Sequence, residues 1–364
     1  MNYFTYRHKP IHFEFRQSVD RFYVREVPLH NFTNSGSYLI LKVEKQDMST
    51  SKLITVIASS ANCNTNEIGY AGLKDKSATT IQYISLPKKY EKDLLKNLTT
   101  PRVKILESKY HKSPIKIGEL KGNNFIIKLH NISPNGVKEF ENVAKIISKE
   151  GIANYYGYQR FGEDGRSYLK GKEIAHSGKR LKGDREKLLV ASYQSYLFNR
   201  WLSYRVKISS IVSTNSPQKA SKLLNFPIEL IKELKKQPQF FKLFLGDLLM
   251  SYPYGKTFYL NNLSKSSKSF KAQELSPTGL LAGDMARRAK SDARYLEEEF
   301  DDNELTSLKG DRRFAWIYPK AIDTKYNKKD RVLEVSFFLP KGSYATTLLE
   351  QIGNFSLKKD RDEQ

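Results

Sequence analysis

The chain of 364 residues carries 62 Lys+Arg against 39 Asp+Glu, a net charge of +23 with its six histidines neutral. Its length suits two domains of roughly 150 residues, or one large domain with an insertion, and a 39% hydrophobic content with 22 Tyr and 20 Phe suffices for a sizeable core. Apolar runs such as 125–127 and 337–340 fall far short of the ~20 residues of a membrane span, and residues 1–16 have no apolar signal core, so the chain reads as a cytoplasmic protein. A lone cysteine, Cys63, excludes an intrachain disulfide framework and a thiolate zinc cluster. His8 and His12 have helical spacing, but Pro10 between them breaks the helix that would align them on a metal. A charge excess of this size on an aromatic-rich chain points to a polyanionic partner, most economically nucleic acid.

In chain order, 22–27 and 38–44 read as strands, with Leu39, Leu41 and Val43 inward at period two. Residues 51–60 read as a helix with Leu53, Ile54, Val56 and Ile57 on one face and a Ser/Thr-rich start to cap it. The stretch 69–77 is a loop by its Gly and charge content, and a strand at 81–86 stops at Pro87. Strands follow at 103–110 and 125–129, then an amphipathic helix at 137–149 ended by Gly151. Beyond residue 160 the character turns helical, with helices at 187–206 and 225–236 and a Ser/Asn/Lys loop at 264–271. The acidic run 297–303 reads as a solvated face. A strand at 332–339 and a helix at 344–352 close the pattern, and 358–364 reads as a frayed end.

Two motif classes are missing. No G-x-G-x-x-G follows a strand and no G-x-x-x-x-G-K-[ST] occurs, so neither a Rossmann-type nucleotide cofactor nor P-loop hydrolysis has a seat. What stands out is Asp75, set between Lys74 and Lys76 on a loop entering a strand. The flanking ammonium groups favour its ionised form. A carboxylate repels phosphate, so in a nucleic-acid protein it suits covalent or acid–base work on the bound nucleotide. Taken alone, Lys-Asp-Lys reads more simply as an ordinary surface turn.

The segment 69–82, GYAGLKDKSATTIQ, resembles the active-site segment of the TruD family of RNA pseudouridine synthases. Further stretches follow in that family's order: Arg16 with FYVRE at 22–26, LKGNNF at 120–125, NYYGYQRFG at 154–162, LGD at 245–247, SPTG at 276–279 and FLPKGSYATT at 338–347. Matches in this order over about 16–350 are specific. The resemblance implies an α+β protein: a mixed, largely antiparallel sheet flanked by helices, with a mostly helical α/β insertion domain. It places the catalytic domain at 1–158 and 316–364 and the insertion at 159–315.

By the same resemblance Asp75 is the catalytic aspartate, and Arg16 stands where the family has a basic residue, often lysine, close to it. Phe22, Asn123 and Tyr344 match positions that bind the substrate, Tyr344 replacing the more usual Phe, and Phe125 matches an aromatic that stacks near the target base. At Phe22 and Phe125 core packing is an equal reading of the residues themselves. Asn123 reads more strongly as functional, because an amide meets the donor and acceptor edge of uracil. Gln159 and Arg160, in a Gly-bounded aromatic turn, read as shaping the site. The implied partner is tRNA, in bacterial members at the uridine at position 13 of the D-arm, with no membrane, metal or nucleotide cofactor involved. Asp75 either attacks C1′ or removes the C2′ proton. Two other classes remain open at this point: a catalytically silent RNA-binding or chaperone protein that keeps the fold, and a metal-dependent RNA-processing enzyme.

Overall fold

A computed structural model describes residues 3–357; the run 358–364, read above as frayed, lies outside them. Two compact units form, each discontinuous in sequence. A sheet unit takes 12–142 and 319–342, and a helical unit takes 3–11, 143–318 and 343–357.

The sheet unit begins with strands β1 (Phe22–Pro28) and β2 (Tyr38–Gln46) and helix α1 (Thr50–Ala61). The short β3 (Gly69–Tyr70), β4 (Thr79–Pro87), α2 (Glu91–Asn97), β5 (Val103–His111) and β6 (Leu120–Leu129) follow. The division between units falls inside α3 (Pro134–Glu150). The helical unit then runs through β7 (Ile152–Ala153), α4 (Ser167–Ala175), α5 (Gly183–Thr214), α6 (Pro217–Leu224) and α7 (Ile228–Lys236). It continues with β8 (Leu248–Ser251), β9 (Thr257–Tyr259), α8 (Leu263–Lys271), β10 (Leu275–Leu281), α9 (Ser291–Glu297), β11 (Asp311–Phe314) and β12 (Trp316–Ile317). Strands β13 (Lys320–Asn327) and β14 (Val332–Pro340) belong to the sheet unit, and α10 (Ala345–Gly353) to the helical one.

The sheet has the order β13-β14-β6-β1-β4-β2-β5, with β3 beside β4. Every pair is antiparallel except β1 with β4, the mixed, largely antiparallel α+β arrangement expected. Period-two alternation turns Phe22, Val24 and Glu26 to the buried face of β1, and Leu39, Leu41, Val43 and Lys45 to that of β2. Helix α1 buries Leu53, Ile54, Ile57 and Ala58; it starts where Ser49 accepts from Lys52 N at 3.2 Å and stops at Asn62, whose φ is 52°. Helix α3 ends at Gly151 (φ 78°), where a Cβ would lie 2.3 Å from the Trp316 indole nitrogen, so only glycine fits.

The helical unit is built around α5, 32 residues and roughly 48 Å long at 1.5 Å per residue. Its core gathers Phe198, Trp201, Leu202, Phe241 and Trp316, and a four-stranded sheet, β11-β10-β8-β9, packs with it. The expected insertion ran from 159 to 315; the compact unit that contains it extends to both sides and adds the chain ends. They join it because Thr5 N donates to Gln351 Oε1 at 2.8 Å and α10 packs with Tyr155.

Two expectations are corrected. Residues 264–271 are not a loop but most of α8: the Asn262 side chain accepts from Lys265 N at 2.9 Å, and Ser267 and Phe270 are buried. The run 297–303 is only in part a solvated face: Glu298, Glu299 and Asn303 are exposed, but two of its acids are drawn inward. Glu297 is 1% exposed and accepts from Arg312 at 2.5 Å and from Ala289 N at 2.7 Å, while the Asp301 carboxylate pairs with Arg288 and Arg294. Arg288, Arg294 and Arg312, just outside the run, draw Glu297 and Asp301 inward, which a count of charge within the run does not register. Among the described residues no helix is long and apolar enough to cross a membrane.

Candidate active site

Asp75 lies on the irregular segment between β3 and β4, in the sheet unit. Three neighbours fix that segment. Lys74 N donates to Thr50 Oγ1 at 2.9 Å, and Thr50 in turn donates to Gln82 Oε1 at 3.2 Å, tying the loop to the first turn of α1 and to β4. The buried Lys74 ammonium meets the buried Glu26 carboxylate at 2.5 Å. The Lys45 ammonium reaches up from β2 to donate to the main-chain oxygens of Asp75, at 2.8 Å, and of Met48.

Strand register explains why these groups meet. Asn123 of β6 stands opposite Glu26 of β1, and Phe125 opposite Val24, which faces Thr80 of β4; Thr80 in turn stands opposite Lys45 of β2. Asn123, Glu26, Gln82, Thr80 and Lys45 therefore make a polar strip on an otherwise apolar sheet face. Beside it Phe22 and Phe125 lie 6.1 Å apart between ring centroids, and Phe125 stacks on Phe337 at 5.3 Å. Both rings are nearly fully buried. Several polar atoms of the strip, Asn123 Oδ1, Gln82 Nε2 and Thr80 Oγ1 among them, are buried without a hydrogen-bond partner among the described residues. Such atoms are costly unless something else pairs with them.

Burial pushes the Asp75 carboxyl above the usual carboxylate range, opposed by its own backbone N–H, by the Lys45 and Lys74 ammonium groups and by the Gln17 amide. This corrects the expectation from flanking charge alone: Lys76 is exposed and Lys74 is paired with Glu26, so desolvation outweighs the ammonium groups. A desolvated carboxylate is a stronger base and a better nucleophile than a hydrated one. Burial likewise lowers Lys45 to about 8, with Asp75 acting in the opposite direction.

Tyr344 stands at the start of α10 in the helical unit. It lies 5.9 Å from Tyr156, over which the Arg313 guanidinium sits at 3.9 Å. Asn199 of α5 fixes Tyr156 by both main-chain groups, accepting from N at 2.8 Å and donating to O at 3.0 Å. A Cβ on Gly157 would lie 2.5 Å from Gln159 Oε1, which accepts from Thr346 at 3.1 Å. Arg160 bonds Ser195 at 3.0 Å. The aromatic turn is thus held by side-chain bonds from α5 and α10.

The sheet unit puts Phe22, Asn123 and Phe125 on one face, and Asp75 on a loop that Lys45 of the same face anchors through the main chain. Arg16 is exposed, and the cations acting on the Asp75 carboxylate are Lys45 and Lys74. Lys45, Thr50, Glu26 and Gln17 were not singled out from the sequence. For Lys45 a signal existed: after Leu39, Leu41 and Val43, the next inward position is a lysine, and a charge there needs a reason. Among the described residues no cluster of three His, Cys, Asp or Glu side chains stands in metal-binding geometry.

Comparison with known proteins follows the same residues. The model of the family described as tRNA pseudouridine synthase D (TruD) matches 1–178 and 230–352. A tRNA pseudouridine synthase D from a Nitratiruptor species is 45% identical over 353 residues, 96% of this chain and 97% of that protein. Proteins of the same name from Wolinella succinogenes and Helicobacter pylori are 41% and 40% identical, each over at least 96% of this chain and 94% of their own length. A Methanosarcina mazei crystal structure solved as a candidate tRNA pseudouridine synthase D superposes with a TM-score of 0.68 at 20% identity, covering 98% of this chain and 97% of that one; it shows the shared fold.

Proposed function

Because the chain belongs to the tRNA pseudouridine synthase D (TruD) family, we propose that it isomerises a uridine of tRNA to pseudouridine, at position 13 in the D-arm, with Asp75 as catalytic aspartate. The N1–C1′ bond breaks, the uracil turns, and C5 bonds to C1′ while the C5 proton leaves and N1 takes one up. Atoms balance without an oxidant or an outside group.

The uridine is first extruded from its stack, at a cost of a few kcal/mol. Asp75 then acts on the ribose, at C1′ or on the C2′ proton. Its desolvated carboxylate is poised for either. Asn123 Oδ1, buried and unpartnered, accepts from the uracil N3–H, so a base in place removes an energetic penalty already built into the free protein. Phe22 shapes the floor beside it, and Phe125 keeps the aromatic stack in register. Arg16, which is exposed, is proposed to bind substrate on family resemblance, not to hold the aspartate. Tyr344 is proposed to bind substrate on family resemblance, the ring being positioned by α10 and Tyr156. The observation that carries the reading is the desolvated Asp75 carboxyl, on a loop anchored by Lys45, beside a strip of unpartnered polar atoms.

Unmodified tRNA incubated with the protein, in buffer with and without a strong chelator, tests this. Carbodiimide-blocked primer extension is expected to stop at position 13 in both arms, with the RNA uncut. Binding without any stop identifies a silent RNA-binding protein instead, and chelator-sensitive strand scission a metal-dependent nuclease.

A further inference from the structure

Lys45 is fully buried at the inward register of β2. An ammonium group is poorly placed there, since removing it from water is costly and an apolar side chain would complete the Leu39, Leu41, Val43 series without penalty. Among the described residues it forms no ion pair within 4.0 Å; its hydrogen bonds go to two main-chain oxygens, those of Met48 and Asp75. The carboxylate whose charge acts on it is that of Asp75. The other cation near Asp75, Lys74, is held by Glu26 at 2.5 Å.

We propose that Lys45 is the positioning residue for Asp75: its ammonium anchors the main chain at residue 75 and its positive charge supports the ionised carboxylate. The inference rests on the reading of Asp75 as catalytic and adds a residue through which that aspartate is held. The groups that act on Asp75 or hold its loop come from several elements. Strand β2 gives Lys45, the loop itself gives Lys74 with β1's Glu26 behind it, the segment before β1 gives the Gln17 amide, and α1 gives the neutral Thr50 hydroxyl. Lys45 is thus the cation near Asp75 that no carboxylate neutralises by contact. A fixed charge so placed in a dry site acts more strongly than one in water and needs no reorganisation during reaction. With its ammonium lowered to about 8, activity falls on the alkaline side as Lys45 loses its proton.

Single-turnover isomerisation of unmodified tRNA from pH 6 to 10 tests this with the parent protein, Lys45→Met, Lys45→Arg and Asp75→Asn, alongside tRNA affinity for each. Lys45→Met is expected to lower the rate constant about a hundredfold, move the acid limb to higher pH, and leave tRNA affinity within about twofold. Lys45→Arg keeps a charge that does not titrate in this range, so it retains more activity than Lys45→Met and loses the alkaline limb. Lys45→Met with a rate within threefold and an unmoved pH profile overturns the proposal. So does a parallel loss of tRNA binding in both Lys45 variants, because Lys45 then serves the fold alone. Isomerisation surviving in Asp75→Asn, or absent from the parent, contradicts the reading of Asp75 instead, so the two failures are told apart.

Discussion

Burial favours the acid form of Asp75, whereas the proposed reaction needs its carboxylate. Burial raises its pKa in the folded chain, so the folded state binds this proton more tightly than the unfolded one. By linkage, stability is full below the unfolded pKa and declines as pH rises through the folded one. Asp75→Asn removes that decline, and its thermal midpoint is expected at or above the parent's at neutral pH. Activity has the opposite dependence: it requires the carboxylate, so the rate falls as pH drops through the raised pKa, a limb displaced upward from the ordinary carboxylate range. Melting curves and single-turnover rates on one pH series check both signs together. Asp75 was singled out because its loop resembles the family's active-site segment. Lys45 was marked only by its inward place in the alternation of β2; its partner, a main-chain oxygen 30 residues away, is encoded by no side-chain motif.

At the scale of elements, the legible parts were those whose burial is periodic. Strands β1, β2, β4, β5 and β6 and helices α1 and α10 follow from alternation and capping, whereas the short β3 lies in a stretch read as loop. The four-stranded sheet of the helical unit and helix α8 were missed because their strands are short or their surfaces rich in Ser and Lys, so packing decides them. The misread run at 297 makes the same point energetically. Replacing Glu297 by Ala leaves the buried Arg312 guanidinium without its 2.5 Å partner and is expected to cost about 3–5 kcal/mol, read as a large drop in the denaturation midpoint. On α10, burial raises Glu350 from 4.5 to about 7. Folding stability therefore declines across that interval as pH rises. Glu350→Gln is expected to flatten the dependence, measured as the thermal midpoint from pH 4.5 to 7.

For the whole molecule the charge of +23 is a reason to bind RNA, and the structure sorts which lysines are available for it. Among three lysine-rich stretches, 179–187, 232–242 and 264–271, the first leaves Lys179, Arg180 and Lys182 exposed. In 232–242, by contrast, Lys232 and Lys236 pair with Glu229 and Glu233, Lys235 bonds two main-chain oxygens, and Lys242 is buried against the carbonyls of Gln237 and Gln239. In 264–271, Lys271 is held by Glu150 while Lys265 and Lys268 stay exposed. Neutralising Lys179, Arg180 and Lys182 is expected to reduce the slope of log affinity against log salt by about one for each phosphate no longer neutralised. Lys242→Gln is expected to leave that slope unchanged and to alter stability instead. A salt titration of tRNA binding separates the two sets.

Tritium release tests Asp75 most directly, since C5 must lose its hydrogen when it bonds to C1′. With tRNA labelled by tritium at uridine C5, the parent protein releases one equivalent from the target nucleotide. Asp75→Asn is expected to bind the same tRNA within about twofold and release tritium at least about a thousandfold more slowly. Release within tenfold of the parent's rate contradicts Asp75 as the catalytic aspartate.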